Sequence, residues 1–127
     1  MRDIKFRCWD TENKQMLKVQ ELDFEDTFYG GRLSIRTDQY NDYFDIEDMI
    51  LMQYTGLKDR NGKEIYEGDI VYIMPEDERG IIRWDNETAR YVVIYDNIIS
   101  DFDNWYGKDL EVIGNEFDNP ELLEEGE

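Results

Sequence analysis

The sequence predicts a small protein that is mainly β, and three observations support this fold class. Apolar and charged residues alternate from Ile4 to Trp9, the period-two pattern of a half-buried strand. Runs rich in β-branched and aromatic residues recur roughly every 8–12 residues between short polar turns. At 127 residues the chain fits one domain with a modest core. A β-rich α+β fold is the alternative, because Asp45–Met52 fits either one helical turn capped by Asp45 or the start of a strand.

The first part of the chain, residues 1–52, predicts an N-terminal β subdomain. Met16–Leu22 is a second candidate strand after a turn-rich segment, so that residues 4–22 form a β-hairpin. We expect a mobile or variable excursion at about 23–48, where glycines and polar residues interrupt the pattern. Within it, Leu33–Ile35 suggests one short strand.

The clearest pattern is Gln53–Val71, a turn-centred β element. Asp59 suits the first position of a turn, and Asn61-Gly62 tolerates the positive φ of a tight reversal. After the bend at Gly68-Asp69, residues 53–127 are predicted to form a small SH3-like barrel with an acidic C-terminal tail, in one structural unit with the first part. The strands predicted after the bend are Ile70–Met74, Gly80–Trp84, Arg90–Tyr95 and Leu110–Ile113, with Asp96–Trp105 as a loop over the barrel mouth.

The charge is strongly and unevenly negative. The chain has 14 basic and 32 acidic side chains, a net charge of -18. Residues 1–60 hold 9 basic and 13 acidic side chains, and residues 61–127 hold 5 and 19, so the net charges are -4 and -14. Such a chain is repelled by DNA, RNA and anionic membranes. We therefore expect no direct binding to nucleic acid and no membrane partner.

Cysteine use and hydropathy predict a soluble protein of the cytoplasm. Cys8 is the only cysteine, which excludes an internal disulfide and favours a reducing compartment. We expect it to pack as a small apolar side chain between Phe6 and Trp9. The first residues lack the apolar region of a signal peptide, and no apolar run is long enough to span a bilayer.

The sequence lacks the residue patterns of common catalytic sites. It has no histidine, the commonest general base and metal ligand at neutral pH. One cysteine without histidine also excludes ordinary zinc sites and the cysteine–histidine dyad. Ser34 and Ser100 are not in a nucleophile-elbow context, and no glycine-rich phosphate loop occurs. We assign no catalytic, cofactor-binding or metal-binding residue and expect no cofactor.

Asp59, Asn61 and Gly62 superficially match a calcium-binding loop. If Gly62 took the sixth position of that loop, Leu57 would be the first and Gly68 the twelfth. Neither residue has a side-chain carboxylate. A plain turn is therefore favoured.

Two other groups of carboxylates are candidate sites. Glu67 and Asp69 could act as an acid–base pair or hold Mg²⁺, but carboxylates that flank a glycine bend more often cap the turn. An acidic oxygen-ligand cluster is the other candidate, and with 32 acids in the chain such clusters occur by chance. Its members are Asp96, Asp101, Asp103 and Asp109.

The three tryptophans, Trp9, Trp84 and Trp105, lie in or beside predicted strands. Core packing is the default for such residues. An exposed set on a small β fold would instead mark a protein-binding face. Their spacing leaves both alternatives open, for Trp84 and Trp105 in particular.

Three blocks of the sequence resemble the YopX family of phage and prophage proteins. The first is Lys5–Asp10 (KFRCWD), where the family typically has alanine in place of Cys8. The second is Gln53–Val71 and the third is Glu111–Leu123 (EVIGNEFDNPELL). Their order matches from end to end, except at about 23–48 and in the loops. The resemblance implies a small β-rich fold, a phage-encoded origin and a bacterial host cytoplasm, and it assigns no catalytic residue.

Three functions are consistent with these observations. The first is a non-enzymatic accessory protein that binds a protein partner or itself as a homo-oligomer, because exposed edge strands invite pairing. The second is a nucleic-acid mimic, in which the acidic surface of residues 61–127 occupies the DNA-binding groove of a host protein. The third is an enzyme that uses carboxylates and a divalent metal, for instance a nuclease.

Overall fold

The computed structural model describes residues 3–26, 32–40, 43–101 and 107–123. In these residues the chain forms eleven β-strands and three short 3₁₀ helices, and the strands build two antiparallel sheets. The prediction of a mainly β fold is therefore confirmed. No helix in the described ranges is long and apolar enough to cross a membrane.

The first sheet has six strands and contains the predicted N-terminal hairpin. β1 (Phe6–Asp10) and β2 (Gln15–Asp26) pair antiparallel, with Cys8 opposite Leu17. This register places both buried side chains on one face of the sheet. The other strands are β3 (Arg32–Thr37), β4 (Tyr43–Asp45), β5 (Met49–Lys58) and β6 (Glu64–Tyr66). The order across the sheet is β4-β3-β2-β1-β5-β6.

Both alternatives for Asp45–Met52 are present, one after the other. The Asp45 carboxylate accepts a hydrogen bond from the Glu47 N–H at 3.1 Å and caps a 3₁₀ helix, Ile46–Asp48. β5 begins directly after this helix. The segment predicted as an excursion at about 23–48 contains the end of β2 and all of β3 and β4, and its remaining stretches include residues outside the described ranges.

The second sheet has five strands, and four of them lie where the sequence predicted strands. The strands are β7 (Asp69–Ile73), β8 (Glu78–Asp85), β9 (Arg90–Tyr95), β10 (Ile98–Asp101) and β11 (Leu110–Asn115). Across the sheet they run β10-β9-β8-β7-β11.

The SH3-like barrel predicted for residues 53–127 is not present as a closed barrel in the part of the chain that the structure describes. β10 and β11 stand at opposite ends of the five-stranded sheet, so that the described residues form an open sheet. Strand number and turn spacing predict a small antiparallel sheet. Closure depends on strand tilt and stagger, which a sequence pattern does not carry.

The segment Asp96–Trp105, predicted as a loop, begins instead with a hairpin turn and a strand. Asp96 and Asn97 have positive φ values of 47° and 62°, as in the two-residue turns of tight hairpins. β10 follows this turn and pairs antiparallel with β9. The turn was missed because it lacks the glycine that marks such turns more strongly. Residues 102–106 lie outside the described part of the chain.

The described chain groups into two compact units, Ile4–Gln53 as the first, and Asp3 with the residues from Tyr54 onward as the second. Each unit has its own buried apolar cluster. In the first unit the cluster consists of Cys8, Leu17, Ile35 and Met49. In the second unit it consists of Ile65, Val71, Ile73, Ile82, Val93 and Leu110.

Thr37 carries a buried hydroxyl that costs stability. Its side chain is 1% exposed, and within the described ranges Oγ1 has no hydrogen-bond partner. We expect Thr37→Val, which keeps the shape, to raise the free energy of unfolding by about 1 kcal/mol in urea denaturation. Thr55→Val is the control and should lower it, because Thr55 Oγ1 donates to the Ile65 carbonyl at 2.7 Å. A loss of stability in Thr37→Val would contradict this account.

Candidate functional site

Asp59 anchors the turn between β5 and β6. Its side chain is 6% exposed, and Oδ1 accepts hydrogen bonds from the N–H groups of Asn61 at 2.8 Å and Lys63 at 2.9 Å. Oδ2 accepts one from the Val112 N–H in β11, also at 2.9 Å. Both carboxylate oxygens therefore bind backbone donors, and the segment is the structural turn that the sequence favoured over a calcium loop.

The pKa of Asp59 gives the fold a pH dependence. Burial raises this pKa, but hydrogen bonds from Val112, Lys63 and Asn61, with the charge of Lys63, outweigh it and hold the pKa below its ordinary value. A lowered folded-state pKa stabilises the protein above the unfolded pKa, and this stabilisation is lost as the pH falls through the folded value.

We therefore expect the free energy of unfolding to decrease as the pH falls below about 4. Asp59→Asn, which does not titrate, should show a shallower decrease. Urea denaturation at a series of pH values measures both slopes. Identical slopes in the two proteins would show that Asp59 does not contribute.

Gly62 completes the same turn with a φ of 83°, as the Asn-Gly pattern predicted. A Cβ at this position would meet nothing within 4 Å, so that a side chain costs backbone strain alone. We expect Gly62→Val to lower the free energy of unfolding by about 1 kcal/mol or more. Gly62→Asn should cost less, because asparagine tolerates this conformation better. A silent valine substitution, measured by urea denaturation, would refute the role of this turn.

Glu67 and Asp69 flank a second glycine turn. Gly68 has a φ of 83°. The Asp69 side chain is buried, and its Oδ2 accepts a hydrogen bond from the Tyr66 N–H at 2.8 Å. Asp69 is therefore a turn cap at the start of β7.

The structure does not bring the described members of the predicted aspartate cluster, Asp96, Asp101 and Asp109, together. Asp96 lies in the turn before β10, whereas Asp101 ends that strand and forms an ion pair with Arg90 at 2.6 Å. Asp109 directly precedes β11, at the other side of the sheet. Asp103 lies outside the described residues. Across the described ranges, no group of three His, Cys, Asp or Glu side chains is positioned to hold a metal ion.

Cys8 is a packing residue, as predicted, although the buried residues of its cluster are Leu17, Ile35 and Met49 and not Phe6 and Trp9. Its side chain is fully buried in the first unit. Burial, and then the charges of Asp10 and Asp38, raise the pKa of the thiol to about 11. The thiol is therefore protonated at neutral pH, which disfavours a nucleophilic role.

A polar cavity of about 210 Å³ lies at the turn between β1 and β2, with Asp10, Asn13 and Asp48 in its lining. The buried Asp10 carboxylate accepts hydrogen bonds from the N–H groups of Glu12 and Asn13 at 3.0 and 3.2 Å, and from the Asn13 side chain at 2.8 Å. Its oxygens therefore stabilise the hairpin turn.

The tryptophans divide between core and surface. Trp9 is 8% exposed, as core packing predicts, whereas Trp84 is 43% exposed. The Trp84 ring packs edge-on against Tyr91, with ring centroids 5.0 Å apart. Trp105 lies outside the described residues. Trp84 therefore belongs to the surface of the five-stranded sheet.

The largest apolar exposure on that sheet lies in its end strand, β10. Ile98 is 47% exposed and Ile99 is 64% exposed. Ile98 lies opposite Tyr95, and Ile99 lies opposite Ile94, so that the two isoleucines occupy the two faces of the sheet. The sequence pattern predicted a loop here and not a strand, because Ile98 and Ile99 stand among aspartate and asparagine residues.

Three exposed carboxylates lie in or beside the β7–β8 and β9–β10 turns, near the start of β10. Partial burial, followed by the charges of Glu76, Asp96 and Glu78, raises the pKa of Tyr95. All three carboxylates are exposed. We name this surface the acidic end patch. Its residues are Glu76, Glu78, Tyr95, Asp96 and Ile98.

These features define a small, mainly β protein of two open antiparallel sheets, with structural carboxylates in its turns and exposed isoleucines on an end strand. A family model described as "YopX protein" matches residues 5–124, and the chain belongs to the YopX family. The resemblance of the three sequence blocks is thereby confirmed.

Two solved structures are similar over almost the whole chain. Protein EF1440 from Enterococcus faecalis is 32% identical, with a TM-score of 0.71, over 98% of this chain and 100% of that one. Protein yopX from Bacillus subtilis is 21% identical, with a TM-score of 0.63, over 100% of both chains. The second likeness concerns the fold alone. A comparison with curated proteins gave no match.

Proposed function

We propose that the protein is a non-enzymatic accessory protein of phage or prophage origin that acts in the bacterial host cytoplasm by binding a protein partner or itself. The observation that carries this proposal is the exposed end strand β10, with Ile98 and Ile99 at 47% and 64% exposure. Exposed apolar residues on the end strand of a sheet favour association with another polypeptide. Exposed Trp84 in β8, which packs against Tyr91 in β9, adds an aromatic residue of the kind enriched at interfaces.

The candidate carboxylates support a non-enzymatic role. Asp59, Asp69 and Asp10 bind backbone N–H groups in turns, so that each serves the fold. The sequence provides no histidine to act beside them. Calorimetry with Mg²⁺, Mn²⁺ and Ca²⁺ tests the metal-enzyme alternative, and binding of any of them with a saturable heat would count against the proposal.

Sedimentation equilibrium over a range of concentrations, together with affinity capture from lysogenic host cells, tests the binding function. We expect a concentration-dependent dimer or a specific captured partner, and the double variant Ile98→Ser/Ile99→Ser should lose it. The matched control is Ile4→Ser/Phe24→Ser, which removes two exposed apolar side chains from the other unit. A strict monomer that captures no partner would refute the proposal.

The nucleic-acid mimic is a special case with its own observation, the net charge of -14 in residues 61–127. If the protein acts in this way, its captured partner is a DNA-binding protein. Duplex DNA should then compete with the protein for that partner. A partner that binds DNA and this protein at the same time would exclude the mimic.

A further inference from the structure

We propose that the acidic end patch binds an extended segment of a partner protein that carries lysine or arginine side chains. This inference rests on the proposed function and specifies the chemistry of the partner. The proposed surface is one face of β10 and of the neighbouring strands β9 and β8. The proposed occupant is a basic strand that lies along β10.

The members of the patch share one face of the sheet. Ile98 lies directly opposite Tyr95 on β9, and Tyr95 packs against the apolar cluster that includes Ile73. Glu78 lies opposite Ile73 on β7. Because residues opposite each other in an antiparallel pair lie on the same face, Glu78, Tyr95 and Ile98 face the same side.

The patch combines apolar surface with negative charge. Tyr95 is partly exposed and Ile98 is 47% exposed. Glu76 lies in the turn between β7 and β8, and Asp96 lies in the turn between β9 and β10. Among the described residues, none of the three patch carboxylates forms an ion pair. A lysine or arginine side chain suits this surface, because its aliphatic stem can lie on Ile98 and Tyr95 while its charged end reaches the carboxylates.

Charge selects the occupant. A second copy of this chain carries a net charge of -18 and would bring like charges together at the patch, and nucleic acid would do the same. A basic segment meets no such repulsion. An extended strand also presents alternate side chains to opposite faces, so that its cations reach the patch while its apolar residues reach Ile99 on the other face.

A synthetic peptide of alternating lysine and valine tests the inference, with a peptide of alternating glutamate and valine as the negative probe. The patch variant is Glu76→Gln/Glu78→Gln/Asp96→Asn. Its control is Glu12→Gln/Glu25→Gln/Glu87→Gln, which removes the same charge from exposed sites at the other end of this sheet and in the other unit. Thermal melts establish that both variants remain folded.

We expect the lysine peptide to bind the unmodified protein and to shift the backbone NMR signals of Tyr95, Ile98 and Ile99. The patch variant should bind it at least about tenfold more weakly, and the control less than about threefold more weakly, because local charges dominate at physiological salt. The glutamate peptide should not bind. Equal weakening in both variants, or signal changes spread over the surface, would overturn the patch as the site.

The outcome is separable from that of the proposed function. If the lysine peptide does not bind but the protein dimerises in sedimentation through Ile98 and Ile99, the acidic end patch is refuted and self-association stands. If neither peptide binding, dimerisation nor partner capture occurs, both proposals fail.

Discussion

Replacing Asp59 with alanine is expected to lower the free energy of unfolding by about 3 kcal/mol. The carboxylate accepts three backbone hydrogen bonds, from Asn61, Lys63 and Val112. Hydrogen bonds to a charged group contribute more than neutral ones, and a buried N–H that loses its acceptor costs about 1–3 kcal/mol. Because the Val112 N–H belongs to β11, its loss also weakens the link between the turn and the second sheet.

Two further variants separate this account from a general effect of the turn. Asp59→Asn keeps one oxygen acceptor and should cost about half as much as Asp59→Ala. Asp85 accepts the Glu87 N–H at 3.0 Å in an exposed turn and contacts no other strand through that bond, so that Asp85→Ala should cost clearly less. Equilibrium urea denaturation measures all three. Equal losses in Asp59→Ala and Asp85→Ala would contradict a role of Asp59 across the sheet.

Replacing Gly80 with alanine is expected to lower the free energy of unfolding by about 2 kcal/mol or more. Gly80 lies in β8 where no side chain fits. A Cβ built there would approach Val93 Cγ1 to 2.7 Å, Ile73 Cδ1 to 3.1 Å and the Ile94 carbonyl oxygen to 3.2 Å. An added methyl in a packed core forces neighbours out of their preferred rotamers.

A double-mutant cycle tests the cause of this loss. Val93→Ala removes the methyl group that the new Cβ would meet first, although it costs stability itself by leaving a cavity. In the Val93→Ala background, the loss of unfolding free energy caused by Gly80→Ala should be smaller by at least about 0.5 kcal/mol than in the unmodified protein, because the closest contact is gone. Additive losses in urea denaturation would show that the cost has another origin, such as the Ile94 carbonyl.

Local signals predicted the parts of the fold that depend on neighbouring residues. The hairpin of β1 and β2, the turn at Asn61-Gly62 and the bend at Gly68 were all expected, because strand alternation and positive φ depend on residue types within a few positions. The turn at Asp96 and Asn97 was missed because Asp-Asn is a weaker signal than Asn-Gly.

The candidate site was predicted much less well than the fold. The exposure of Ile98 and Ile99 depends on β10 being the end strand of its sheet. Local sequence patterns do not predict the order of strands in a sheet. The acidic end patch likewise unites Glu76, in the turn before β8, and Glu78, at the start of β8, with Asp96 in the turn after β9. Their proximity follows only from the antiparallel pairing of the strands between them.

The sequence by itself determined the mainly β class, the membership of the YopX family, the net negative charge and the absence of histidine chemistry. These properties depend on residue types, their spacing and their order. Only the tertiary structure decided that the second sheet is open, that Asp59 ties a turn to β11 and that β10 exposes its isoleucines. Each of these depends on contacts between residues far apart in the chain. Asp59 and Val112, for example, are 53 positions apart. A pattern with a period of two residues does not predict such contacts.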